Sequence, residues 1–167
     1  NFLINTRIVK AQFDALRICP DELFRDSSAI KEVRMKSVEI IGHKAFQNCT
    51  KLEILDIPNV ITICDHSFKN CTSLIDIKFN KLAEIGEHSF EGCTSIKSVV
   101  LNKVKNIGNF SFYGCKDLDS LNLGSLKTCG ESAFENCFQL RSIMTPLLKV
   151  IGKRSFYNCK NMGIYDP

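Results

Sequence analysis

Apolar side chains return along this chain at a fixed period. Phe stands at 2, 24, 46, 68, 90, 112, 134 and 156, always 22 residues apart. A unit can be numbered from Ile41, so that Phe46 is its sixth residue. The first residue is then Ile41, Ile63, Ile85, Ile107 and Ile151, with Cys19 and Cys129 standing in. The ninth is Cys at 49, 71, 93, 115, 137 and 159, after Asn5 and Ser27. The twelfth runs from Ile8 to Met162, and the fifteenth from Ala11 to Tyr165. The seventeenth runs from Phe13 to Leu123 before Thr145 and Pro167 break rank, and the twentieth runs from Leu16 to Leu148. A fixed period of this size signals stacked coils. No insertion or deletion interrupts the register. The chain therefore reads as a single repeat domain over residues 1–167, about seven and a half units long.

Residues twelve to seventeen alternate apolar and polar, which predicts a short half-buried strand. Strands of successive units run the same way, so they pair in parallel, about 4.8 Å apart. Residue two is Gly at 42, 86, 108, 130 and 152, which suits a tight corner. Residues three to seven, with Ala or Ser before the Phe, predict one helical or 3-10 turn. Residue eight is Asn or Gly from Asn48 to Asn158, the left-handed residue that ends such a turn. One unit cannot bury its apolar side alone, whereas stacking buries all these rows as ladders in one core.

The segments Ile41-Gly42-His43-Lys44-Ala45-Phe46-Gln47-Asn48-Cys49 and Ile85-Gly86-Glu87-His88-Ser89-Phe90-Glu91-Gly92-Cys93 carry a resemblance. They look like the Treponema pallidum-type, or BspA-like, leucine-rich repeat, and the likeness extends over essentially the whole chain. The family's unit is commonly about 23 residues with a Pro after the strand. Here one residue is missing, and Pro survives there only at Pro58 and Pro146. The resemblance implies an α/β solenoid: a right-handed leucine-rich-repeat coil, a parallel sheet on its concave face, and short helical or 3-10 turns on its convex side. It also implies a binding role, since family members are often surface proteins and several are adhesins. A cell-surface or extracellular location follows from the same resemblance; a cytoplasmic one stays open.

Composition changes this picture little. The net charge of +4 is a mild excess, not the footprint of a nucleic-acid binder. No apolar run is long enough to span a bilayer. The chain lacks an initiator Met and a polar cap at either end, and reads as a fragment of a longer protein with end-to-end self-association open to it. Nine cysteines would suit a disulfide scaffold, but ladder periodicity sets their positions, which predicts buried free thiols. His43, His66 and His88 lie close to one ladder without a ligand set for a metal. Ser89 beside His88 faces the Phe layer, the wrong place for a nucleophile, and no cofactor or catalytic set emerges. Asn48, Asn70 and Asn109 each open a glycosylation sequon. At Asn48 and Asn70 the motif follows from repeat chemistry.

Two surfaces are candidates for binding. The outward positions of the strands, residues fourteen and sixteen, hold Arg34, Ile54, Asp56, Asp76, Lys78, Ser98, Val100, Ser120, Asn122, Ser142 and Met144. Arg34, Asp56 and Lys78 alternate in sign and predict self-pairing. Toward Met144 the face turns mixed polar and apolar, as protein-contact areas are. The second candidate is a basic stripe of Lys81, Lys103, Lys105, Lys127 and Lys149. It suits an acidic protein or sulfated glycan, or else forms a solvated edge paired with Glu87 or Glu131. The expected activity is an adhesin-like interaction module for a protein or glycan partner on a host matrix or cell surface; the alternative is a structural spacer in a larger protein.

Overall fold

The structure is a computed structural model, and it describes residues 7–162, with the side chain of Ser142 excepted. Phe2, Asn5, Tyr165 and Pro167 of the ladders lie outside the described residues. Residues fourteen to sixteen do form strands: β1 (Lys10–Gln12), β3 (Glu32–Arg34), β5 (Ile54–Asp56), β7 (Asp76–Ile77), β9 (Ser98–Val100), β11 (Ser120–Asn122) and β13 (Ser142–Met144). Their centres face the core and their flanks face out, as in the exposed–buried–exposed pattern of Ser98, Val99 and Val100.

Each coil adds a second, shorter strand that periodicity alone did not announce: β2 (Ile18–Cys19), β4 (Ile40–Ile41), β6 (Thr62–Ile63), β8 (Glu84–Ile85), β10 (Asn106–Ile107), β12 (Thr128–Cys129) and β14 (Val150–Ile151). All pairing is parallel and shifts by one 22-residue unit, as in Ile41↔Ile63 and Val99↔Leu121. The short strands make one seven-stranded sheet. The longer ones form ladders β1-β3-β5 and β7-β9-β11-β13, interrupted between β5 and β7. A β-turn over residues seventeen to twenty joins the two strands of a coil, closed for example by the Val104 N–H on the Leu101 carbonyl at 3.1 Å.

The third side of the coil corrects the expected helical or 3-10 turn: among the described residues there is no helix. The backbone N–H groups alternate instead. Ala45, Gln47 and Cys49 donate back three residues within their coil, whereas Lys44, Phe46 and Asn48 donate to Asp65, Ser67 and Lys69 of the next coil. A helix would spend every amide internally and leave none to bind the neighbouring coil. The left-handed residue expected at position eight is present, at Asn48, Asn70, Gly92, Gly114, Asn136 and Asn158. Position four is left-handed too, from Glu22 through His66, His88 and Phe110 to Arg154. Two positive-φ residues per coil are incompatible with a helical turn.

Glycine at residue two answers close approach rather than a left-handed corner. A Cβ on Gly130 would sit 2.6 Å from the Gly108 carbonyl carbon and 2.7 Å from the Asn109 nitrogen. The core holds the expected ladders. The rings of Phe24, Phe46, Phe68, Phe90, Phe112, Phe134 and Phe156 stack at 5.0–5.3 Å. Burying each ring contributes about 1.5–3 kcal/mol.

Candidate partner-binding surfaces

The hydroxyls and thiols that could suggest chemistry are absorbed by the coil. Ser89 is fully buried and donates to the Gly86 carbonyl; Ser67, Ser111 and Ser155 do the same to the carbonyl three residues earlier. The Cys ladder is free of disulfides. Its thiols donate to the Phe carbonyl of the preceding coil, Cys71 to Phe46 at 3.1 Å and Cys115 to Phe90 at 3.2 Å. Burial pushes the thiols of Cys19 and Cys49 up to about 12, and those of Cys129 and Cys159 up to about 11. Thiols held so far above neutral pH carry almost no thiolate. Cys64, at residue two where most coils have Gly, is the partly exposed exception along with Cys159.

The sequon asparagines are likewise engaged. Asn48 donates to Asp26 at 2.7 Å and Asn70 to Asn48 at 2.9 Å, rungs of a side-chain ladder over the left-handed residues. Asn109 donates to Glu87 and accepts from the Glu131 N–H. His66 and His88 stack at 4.7 Å, and Phe110 continues the stack at 4.9 Å. His88 also meets Glu91 at 2.6 Å, and Lys69 reaches the same carboxylate oxygen at 2.9 Å. This turn-face stack was legible only in part: shared position four made the two histidines neighbours, and Phe110 was missed.

The strand face divides into two regions. Toward β1 it is occupied by a chain of ion pairs: Lys10 with Glu32 of the next coil at 2.8 Å, Glu32 with Arg34 of its own strand at 2.7 Å, and Arg34 with Asp56 of the coil after at 3.8 Å. Hydrogen bonds from Lys10 and then Arg34 hold the Glu32 carboxyl below its ordinary range. Lys78 does not extend the chain of pairs, because it follows β7, across the interruption in the ladder. Ile54 is outward and exposed, as is Asp76. Further along, Val100 and Met144 are 51% and 71% exposed and flank Asn122 in register. Beside them a shallow cleft of about 340 Å³ is lined by Lys97, Ser98, Asp117, Asp119, Ser120, Gln139 and Arg141. Arg141 holds Asp119 at 2.9 Å. The side chain of Ser142 lies outside the described residues.

The basic stripe lies along the corner between the two sheets. Lys105, Lys127 and Lys149 immediately precede β10, β12 and β14, and their backbones bond in register, Lys127 N–H to Lys105 carbonyl at 2.8 Å and Lys149 N–H to Lys127 carbonyl at 2.9 Å. Lys81 and Lys103 stand two positions earlier in their coils, and all five are exposed. The expected pairing to Glu87 or Glu131 is not made: among the described residues none of the five lysines forms an ion pair. The outer row of the second sheet, with Ile18 56% exposed beside Ile40, is a surface that sequence reasoning missed. The outward polar residues Thr62, Glu84 and Asn106 before buried Ile were its only signal.

Among the described residues no helix is long and apolar enough to cross a membrane. No curated protein sequence matches the chain. Of solved structures, it is similar to the Treponema pallidum leucine-rich repeat protein, at 28% identity and a TM-score of 0.84 over 95% of this chain and 79% of that one. It also shares its fold with a leucine-rich cell surface protein of Faecalibacterium prausnitzii A2-165, at 22% identity and a TM-score of 0.84 over 93% of this chain. A leucine-rich-repeat protein of Eubacterium ventriosum is 22% identical with a TM-score of 0.78 over 95% of this chain. The chain spans 46% and 45% of these last two. The model of the BspA-type leucine-rich repeat region matches residues 17–103 and 39–163. With coil, core ladders and repeat in agreement, the chain belongs to the BspA-type leucine-rich repeat family.

Proposed function

We propose that this chain is an adhesin-like interaction module that binds a protein partner, on a host matrix or cell surface, through the strand face, which we take as the concave side of the solenoid. The observation that carries this reading is the pair Val100 and Met144. Both stand more than half exposed on either side of Asn122, where the other half of the face is closed by ion pairs between coils. An apolar–polar–apolar row beside a cleft with Lys97, Asp119 and Arg141 supplies what contact areas use: an apolar centre and a charged rim. Family membership supports binding over catalysis.

The test is binding of the chain to immobilised matrix proteins and host-cell surfaces, beside a variant carrying Val100→Asp and Met144→Asp. Saturable binding that the variant loses assigns the face. A folded chain that binds nothing at micromolar concentration replaces the proposal with the spacer reading.

A further inference from the structure

Some charges elsewhere on this solenoid meet opposite charges in the neighbouring coil: Lys10 with Glu32, Arg17 with Glu39, Lys69 with Glu91, and Asp119 with Arg141. Position twenty-one begins in the same way, with the Arg17–Glu39 pair, passes through Ile61 and Ala83, and ends in three lysines. Lys105, Lys127 and Lys149 are held one coil apart by backbone hydrogen bonds at 2.8 and 2.9 Å. Their Cα atoms therefore cannot spread, and like charges in register repel. No carboxylate among the described residues comes within ion-pair distance to offset this.

We propose that this corner binds a sulfated polysaccharide lying along the solenoid axis, with the three lysines on successive anionic groups. The reading rests on the chain being an interaction module but uses a different face from the one proposed above. A row one residue wide fits a single linear chain. Its outward neighbours in the second sheet, Asn106 and Thr128, offer an amide and a hydroxyl to sugar hydroxyls. Among these neighbours there is no aromatic ring on which a single-stranded base would stack, and a net charge of +4 is small for a nucleic-acid binder. Lysine suits sulfate as a flexible point charge that needs no fixed bidentate geometry.

The experiment titrates the chain with a heparin-derived decasaccharide, the same sugar after desulfation, an oligothymidylate, and phosphatidylserine vesicles. We expect the sulfated sugar to bind most tightly and to weaken with salt, as counterion release requires. The variant K105Q/K127Q/K149Q should lose at least about tenfold in affinity and about two units of the salt slope. Lys127→Gln alone should lose part of it, with the melting temperature unchanged or raised in both. A variant losing the same charge at Lys31, Lys51 and Lys116 should bind normally. The strand-face variant at Val100 and Met144 should also keep sugar binding, which separates failure of this proposal from failure of the first. Equal loss in the charge-matched control, equal binding of the desulfated sugar, tighter binding of oligothymidylate or vesicles, or no binding by the folded chain would each overturn it.

Discussion

The thiol of Cys93 donates a hydrogen bond to the carbonyl of Phe68, one coil earlier, at 3.0 Å. The same carbonyl accepts the backbone N–H of Cys71 at 3.1 Å. The ninth residue is therefore more than a small apolar filler: it ties two coils together at the edge of the Phe ladder. Cys93→Val, which keeps an apolar side chain but removes the donor, should cost about 0.5–1.5 kcal/mol by chemical denaturation. Cys93→Ser, which keeps a donor, should cost less than Cys93→Ala. A Val variant as stable as the parent would reduce the thiol to packing alone.

The same burial protects the thiols chemically. Native labelling with a thiol reagent should reach Cys64 and Cys159 first, because these alone are partly exposed. The seven buried thiols, including Cys49 and Cys129 with values pushed up to about 12 and about 11, should react only on unfolding. Mass spectrometry of the labelled peptides distinguishes the two groups, and early modification of Cys71 or Cys115 would count against the packing described.

Phe90 lies mid-stack, fully buried, with Phe68 at 5.2 Å, Phe112 at 5.0 Å and Phe79 tilted against it at 6.1 Å. Phe90→Ala should destabilise by about 3–5 kcal/mol, transfer and cavity together. Neighbouring coils hold each other in place and cannot close over the void. A loss well under about 1 kcal/mol in urea unfolding contradicts the stacked core.

Asn70 combines a left-handed backbone, φ 61°, with a rung of the amide ladder onto Asn48. Asn70→Ala loses both the tolerated conformation and the hydrogen bond, and should cost about 1–2 kcal/mol. Asn70→Gly keeps the backbone and should cost less, consistent with Gly92 and Gly114 in the same row. Equal losses for Ala and Gly would show that the ladder bond, not the backbone, carries the position.

Acid should loosen the turn face in two steps. Burial, then the proximity of His88 and Lys69, lowers the His66 pKa, so the folded chain resists a proton that the unfolded chain accepts. Stability is therefore lost as pH falls through about 6.5. The Glu91 carboxyl is also lowered: burial alone would raise it, but Lys69 and His88 together outweigh burial. Its contribution is present above about pH 4.3 and lost as pH falls below that. Urea midpoints across pH should show the first step in the parent. His66→Asn, which accepts positive φ, should remove that step and leave the second; an unchanged profile would exclude His66 as its source.

Periodicity by itself determined the solenoid, the parallel register, the identity of every core ladder and the left-handed residue eight. These depend on which residues recur every 22 positions, and stacking identical units leaves one way to bury Phe46, Cys49, Leu52 and Leu55 together. It also placed the strand face and the lysine row, since equal positions in successive units must become neighbours. Tertiary structure alone decided where the amides go. Residues three to seven read as a helical turn because Ala or Ser before Phe suits one, but the next coil lies close enough to accept every second N–H, and that requires left-handed residues such as His66 and Phe110. The second sheet emerged for the same reason, as Ile41 and Ile63 have too short a strand to signal alone and pair only once stacked. Whether Arg34 found Asp56, and Lys105, Lys127 and Lys149 found no counter-charge, depended on side-chain reach across coils. A one-dimensional pattern carries no such distances.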